Sequence, residues 1–295
     1  MGYNEIKYFI KIMRRVESIT NEIHAPGQPL RKQLALKLLC KGVRMAQNRG
    51  VFQLEEASLF LRAINEFTIK DKIPIKGEIP KIIHQIWIGK KKPPKWCIDS
   101  WKNDYINLFS DWEYKLWTDD ELQLLDMRNK KIYNDEPTMR GKSDIARYEI
   151  LQQYGGIYID ADSLWLSNKN LDPLLVSTSF FACREPKNTQ FIANGVIGCT
   201  KNNKITAEII EYISNNYYRL KRKHPHPYSI WLVTNQPFFT EICTRNEITI
   251  YPSVYFYPEG YFKENTTLTK NEIEKKYPDS YMFQYWLSHV NYYAD

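Results

Sequence analysis

Two aspartates one residue apart, Asp160 and Asp162, close the run Gly155-Gly156-Ile157-Tyr158-Ile159-Asp160-Ala161-Asp162. Carboxylates held that closely repel one another unless a positive charge lies between them, and a divalent cation supplies one. Hard Mg²⁺ or Mn²⁺ takes carboxylate, water and phosphate oxygens, and needs only one or two protein carboxylates when a substrate diphosphate completes its shell. The pair therefore points to a metal-diphosphate site. A D-x-D merely solvated in a loop has the same spacing, and the apolar strand that precedes it here favours the site. Upstream, Ser143, Asp144 and Arg147 lie three or four residues apart, so on a helix they share one face and present a hydroxyl, a carboxylate and a guanidinium together. The plain alternative for the trio is a helix cap and an i, i+3 ion pair worth about 0.2 to 0.5 kcal/mol.

These side chains need elements to aim them. Ile145, Tyr148, Leu151 and Tyr154 recur every three residues, which predicts a helix with Ser143 as its N-cap and Gly155 as the left-handed residue that stops it. That start would put the polar trio beside a helix N-terminus, which favours anionic or hydroxyl-rich ligands. In the strand that follows, Tyr158 and Asp160 point to one side by period two, and Asp162 is expected past the strand end, open to solvent. Earlier, Ile82, Ile83, Ile86, Trp87 and Ile88 form a nearly continuous apolar run ending at Gly89, as in a strand buried on both faces. Glu113 to Trp117 predicts another strand, running into the capping box Thr118-Asp119-Asp120-Glu121. Strand and helix in alternation predict an α/β fold.

At 295 residues with 43 % apolar content the chain can bury a substantial core. No stretch reaches the roughly 20 apolar residues of a membrane-spanning helix, and the start lacks a signal-peptide core, so a cytoplasmic or peripherally membrane-associated protein is expected. Five scattered cysteines (Cys40, Cys97, Cys183, Cys199, Cys243) suggest reduced core thiols rather than a disulfide framework or a zinc site. His224 and His226, flanked by prolines, lack partners at ligand spacing and read as a loop. The charge is uneven. Residues 1–75 hold thirteen Lys and Arg against seven Asp and Glu, which is +6 of the total +7. Apolar residues at helical spacing predict three helices there, ending at a Pro/Gly linker over residues 73–80. The domains are accordingly 1–75, helical and basic, and 76–295, α/β. The basic helices could meet a membrane surface or simply be solvated. Sparse aromatics argue against nucleic acid.

Ile79 to Gly89, the pattern S-D-x-x-R-Y-x-x-L-x-x-Y-G-G-x-Y-x-D-x-D over residues 143–162, and Asn194-Gly195-Val196-Ile197-Gly198 together resemble glycosyltransferase family 32. These are the DXD-containing sugar transferases, whose central motif is shared with the large clostridial glucosylating toxins. The resemblance spans residues 79 to 290 and implies a GT-A-type, Rossmann-like mixed sheet flanked by helices. It also implies a retaining, Mn²⁺- or Mg²⁺-dependent hexosyltransferase that uses a nucleotide-sugar, UDP-linked by the W-I-G match, and a glycan, protein or lipid acceptor. By the same resemblance Trp87, next to Ile86, stacks on the donor base and Ser143 touches the ribose side. Asp144 and Arg147 hold sugar hydroxyls, Tyr158 lines the cleft, Asp160 meets ribose and metal, and Asp162 binds the cation. Asn194, Gly195, Trp286 and Ser288 fall on the acceptor side, with Arg184 and Glu185 close by.

The sequence departs from the family in two places. T-G-P before a C-terminal helix is here Thr234-Asn235-Gln236-Pro237, and the end motif H-x-W-x-x-S-W is represented by Gln284-Tyr285-Trp286-Leu287-Ser288-His289. With Gln284 where the histidine is expected, His289 or Ser288 is the substitute ligand. A haloacid-dehalogenase phosphatase shares the D-x-D after a strand, but Leu164 stands where Thr or Val belongs. A non-catalytic binder of the same fold is the third reading. Lys90, Lys91 and Lys92 either screen a diphosphate or are solvated.

Overall fold

The computed structural model describes residues 78–166, 169–176, 178–186, 190–224, 234, 236–246, 248–260 and 268–287. The three helices expected in residues 1–75, and Ser288, His289, His226 and Cys40, lie outside them. Contacts divide the chain into Met1–Gly77 with Asp172–Ser177, and Glu78–Leu171 with Thr178–Asp295. Of the first unit the described part is the short helix Asp172–Leu175 and Val176.

The second unit is a mixed α/β fold. Its strands are β1 (Ile82–Ile86), β2 (Glu113–Trp117), β3 (Gly156–Ile159), β4 (Ser163–Trp165), β5 (Phe180–Arg184), β6 (Ile192–Cys199), β7 (Thr249–Tyr251) and β8 (Met282–Gln284). Six of them form one sheet in the order β2-β1-β3-β6-β5-β7, while β4 and β8 pair separately. β1 is parallel to β2 and β3, and β6 runs antiparallel to both its neighbours. The helices that matter for the site are α1 (Met139–Tyr154), α2 (Lys204–Lys223) and α3 (Gln236–Arg245). Ile145, Leu151, Ile209, Ile213 and Phe239 from these helices join Ile197 and Tyr158 of the sheet in the main core. The described cysteines are free and buried, as expected.

β2 and the Thr118–Glu121 capping interaction, in which the Thr118 amide donates to Glu121 Oε2 at 2.9 Å, are where the pattern put them. The apolar run of β1 pairs only to Ile86, because β2 turns into its helix at Thr118; one further bond, Trp87 N to Trp117 O, closes the ladder. Helix α1 does not start at Ser143. Its N-cap is Thr138, whose hydroxyl accepts from the Gly141 amide at 3.0 Å, so Ser143 and Asp144 sit a full turn inside the helix and not at its positive end.

The stop at Gly155 holds, with φ of +66° there and +94° at Gly156, conformations glycine adopts without a steric cost. A Cβ on Gly156 would lie 2.6 Å from the Ile82 carbonyl oxygen, so the turn is pressed against β1. His84 of β1 clamps it. Trp117 Nε1 donates to His84 Nδ1 at 3.2 Å, which leaves the Nε2 proton to meet the Gly155 carbonyl at 2.9 Å. Burial lowers the His84 pKa to about 4. The folded protein therefore binds this proton less readily than the unfolded chain does. Stability should fall as pH drops from about 6.5 to 4, by about 3 kcal/mol in all. Urea midpoints across that range should decline more steeply for wild type than for His84→Gln; parallel curves would reject the clamp.

Candidate active site

The end of the sheet where β3 gives way to Asp160 is built around one buried cation. Arg147, 5 % exposed, projects from the middle of α1. Its NH2 lies 2.8 Å from Asp144 Oδ1 and 3.5 Å from Asp160 Oδ1, and NH1 donates to the Asn194 carbonyl at 2.8 Å. The guanidinium also covers the Tyr158 ring, 4.4 Å from its centroid. Asp144 is fully occupied. Besides Arg147 it accepts from Asn194 Nδ2 and from the Thr234 hydroxyl at 2.9 Å. Burial pushes its carboxyl pKa up and Arg147 opposes the shift. Tyr148 completes the layer, donating to Thr234 O and accepting from Asn194. The helix thus holds its cation rigidly, aimed along the strand.

A bulge in β6 brings the second wall. Ala182 pairs with Ile197 but Cys183 pairs with Ala193, so Asn194, Gly195 and Val196 are extra residues opposite a single step of β5. Bulges re-aim a strand beside a site, and here the displaced residues are the ones that reach Arg147, Asp144 and Asp160. The Asp160 amide donates to Gly195 O at 2.9 Å. A Cβ on Gly195 would fall 2.5 Å from Asp160 Oδ2 and 2.7 Å from Tyr257 Oη, so glycine is what lets the carboxylate lie against the strand. Tyr158 donates to Asp160 Oδ1 at 2.8 Å, as their shared side of β3 requires.

Asp162 is not open to solvent. It is 6 % exposed, because the β4–β8 pair folds over it. Its Oδ1 accepts from Gln284 Nε2 at 2.6 Å and its Oδ2 from the Leu287 amide at 2.8 Å, while the same Gln284 amide reaches Asp160 Oδ2 at 3.4 Å. Burial first, then the charge of Asp160, raises the Asp162 pKa to about 7. Two carboxylates share one neutral amide, and among the described residues no arginine or lysine makes a hydrogen bond or ion pair to Asp162, on which Arg140 acts only electrostatically. That donor set suits a hard divalent cation whose remaining ligands come from elsewhere. Among the described residues no group of three or more His, Cys, Asp or Glu is placed to hold a metal ion by itself.

Residues 90–181 match the family described as "Glycosyltransferase sugar-binding region containing DXD motif". The resemblance to the DXD glycosyltransferases holds. Within it, the chain is 32 % identical over 173 residues to "Inositol phosphoceramide mannosyltransferase 3" of Schizosaccharomyces pombe, covering 56 % of this chain and 44 % of that protein. It is 29 % identical over 170 residues to "Mannosyl phosphorylinositol ceramide synthase CSH1" of Saccharomyces cerevisiae, covering 56 % and 42 %. The chain spans less than half the length of these relatives. Among solved structures, "PaToxG Glycosyltransferase" is 21 % identical, with a TM-score of 0.44 over 65 % of this chain and 80 % of that one.

Around the DXD pair the remaining residues fall as follows. Ile86 is a core side chain, and Trp87 is half-buried with Nε1 donating to Lys91 O at 2.5 Å, which ties the lysine loop to the strand end. Ser143 Oγ is 3.4 Å from the Tyr158 hydroxyl. Trp286 takes a positive φ of 55°, an outlier for a bulky residue. Glu185, beyond β5, has its pKa raised to about 7 by burial and then by Asp160, so it shares the electrostatic neighbourhood of the DXD pair. Thr234 bonds Asp144, and Gln284, the Leu287 amide and Tyr257 lie against the DXD pair, contacts to which the central motif did not point. Gln284 had been noted only as the departure from histidine. Arg140, exposed in the first turn of α1, bears electrostatically on both Asp144 and Asp162 and had no motif to mark it. No helix among the described residues is long and apolar enough to cross a membrane.

Proposed function

We propose that this chain is a metal-dependent, retaining glycosyltransferase that moves a hexose from a nucleotide-sugar, UDP-linked by the W-I-G match, to an acceptor hydroxyl. The observation that carries the proposal is the DXD pair itself, two carboxylates at a sheet end, one made proton-avid by burial and then by the charge of the other. The names of the yeast relatives favour mannose as the hexose and an inositol-phosphate lipid as the acceptor. Residues 76–295 would form the catalytic domain, and the basic residues 1–75 a helical segment suited to a membrane surface.

Asp160 and Asp162 would hold Mn²⁺ or Mg²⁺, beside the Gln284 amide, whose Oε1 accepts from the Ser163 hydroxyl and so fixes Nε2 toward both carboxylates. When bound, the cation supplies neutralisation of the charge that develops on the departing diphosphate. The chain's own groups do the rest. Arg147 adds a second fixed positive charge whose orientation costs nothing at the moment of reaction, because Asp144 and Asn194 O already hold it. Trp87 offers an aromatic edge for the base, and Tyr158 with Ser143 offers hydroxyls along the floor of the cleft. Acceptor oxygen bonds to the anomeric carbon as the carbon–phosphate oxygen bond breaks on the same face, and the acceptor proton passes to a donor phosphate oxygen.

Incubation with UDP-glucose, UDP-galactose or GDP-mannose and Mn²⁺ should release free sugar slowly from at least one donor, and EDTA should stop it. Release that is indifferent to EDTA, or no release from any donor, would reject the proposal.

A further inference from the structure

Tyr257 is a buried polar group left over from the fold. Its side chain is 2 % exposed, and its hydroxyl meets no hydrogen-bond partner among the described residues. Such an oxygen is costly to bury unless something binds it. It sits at the DXD pair. Asp160 Oδ2 and Tyr257 Oη both converge on the bare Cα of Gly195, at 2.5 Å and 2.7 Å from where its Cβ would be, so they are no more than about 5 Å apart and yet not bonded to each other. A ligand hydroxyl that met both would accept from the phenol and donate to the carboxylate. Burial, then the charge of Asp160, then Cys183 and Glu185, push the phenol pKa up, so it stays a protonated donor. The wall behind it is strained: Trp286, at φ of +55°, lies 5.7 Å ring to ring from Tyr257. Strain and unpaired polar atoms persist where binding compensates for them.

We infer that Tyr257 and Asp160 bracket a hydroxyl of the transferred sugar, the phenol on one side and Asp160 Oδ2, which accepts one long bond from Gln284, on the other. The inference rests on the glycosyltransferase reading. The transferred sugar is favoured over the acceptor because Asp160 belongs to the carboxylate pair that the donor's diphosphate would approach. A neutral hydrogen bond of this kind should contribute about 3- to 10-fold to donor use.

Tyr257→Phe removes only the hydroxyl. Its melting temperature should equal or exceed that of wild type, since a buried unpaired group is deleted, while kcat/KM for Mn²⁺-dependent hydrolysis of the accepted donor falls about 3- to 10-fold. Binding of UDP or GDP with Mn²⁺, measured by calorimetry, should not change. Unchanged hydrolysis, or a melting temperature several degrees lower with hydrolysis intact, would overturn the inference. So would an equal loss in nucleotide affinity, which would place the bridging hydroxyl on the ribose. Wild-type protein that neither binds nor splits any donor would sink the transferase reading and this inference together, whereas an active wild type with an equally active variant would sink this inference alone.

Discussion

Asp162→Asn should abolish Mn²⁺-dependent donor hydrolysis, by at least about a thousandfold on the scale of lost electrostatic stabilisation, and in metal-free buffer at pH 8 it should melt above the wild type. Both halves follow from one buried carboxyl. The folded pKa of Asp162, about 7, lies above the ordinary aspartate value of 3.8, so the folded state holds the proton more tightly than the unfolded chain. For such a group stability is fully present below the unfolded pKa and is lost as pH rises through the folded one. Between about pH 4 and 7 the metal-free wild type should lose up to roughly 1.4 kcal/mol per pH unit from this site, and the variant should not. Asparagine keeps an acceptor for the Leu287 amide, which alanine would orphan at a buried position. Adding Mn²⁺ should restore the wild type alone. Melting curves at pH 5 and pH 8, with and without Mn²⁺, check it. A variant that responds to Mn²⁺ as the wild type does would remove Asp162 from the metal site.

What was legible in the chain was what neighbours in sequence decide. Gly155 ends α1 because only a residue tolerant of positive φ fits there, and Tyr158 reaches Asp160 because a strand has period two. The polar trio of α1 does gather on one face, as helical spacing requires. The start of that helix was misplaced because Thr138 and Ser143 are both competent caps, and the choice fell to tertiary packing, not to local preference. The burial of Asp162 depends on Met282–Gln284 returning to pair with Ser163–Trp165, a contact more than a hundred residues away in the chain. Thr234, Tyr257 and Gln284 are brought in by the same kind of return. Thr234 and Gln284 stand where the sequence departs from two motifs and Tyr257 stands in none, so their contacts were not legible: a hydroxyl or amide acquires its role only from what it faces. The bulge at Asn194–Val196 left one trace, a glycine inside an apolar strand, which often marks a bulge or a close approach of backbone.

Removing the buried cation should cost far more than removing the pair. Arg147→Met leaves Asp144, 1 % exposed, without the charge beside it, and the expected loss is about 3 to 5 kcal/mol, the range found when one member of a buried ion pair is deleted. Asp144 then takes up a proton more readily still. Its folded pKa, already raised by burial, climbs further above the unfolded value, so the variant should be most stable in acid and lose stability as pH rises. Asp144→Asn in the same chain replaces the stranded carboxylate with an amide that Thr234 and Asn194 can still bond, and should return most of the lost stability. It should return no turnover, because the fixed positive charge 3.5 Å from Asp160 is gone. Urea midpoints for the wild type, both single variants and the double variant at pH 7 give the coupling directly. Additive losses would mean that Asp144 and Arg147 do not stabilise one another, and recovery of hydrolysis in the double variant would mean that the guanidinium acts on the fold and not on the donor.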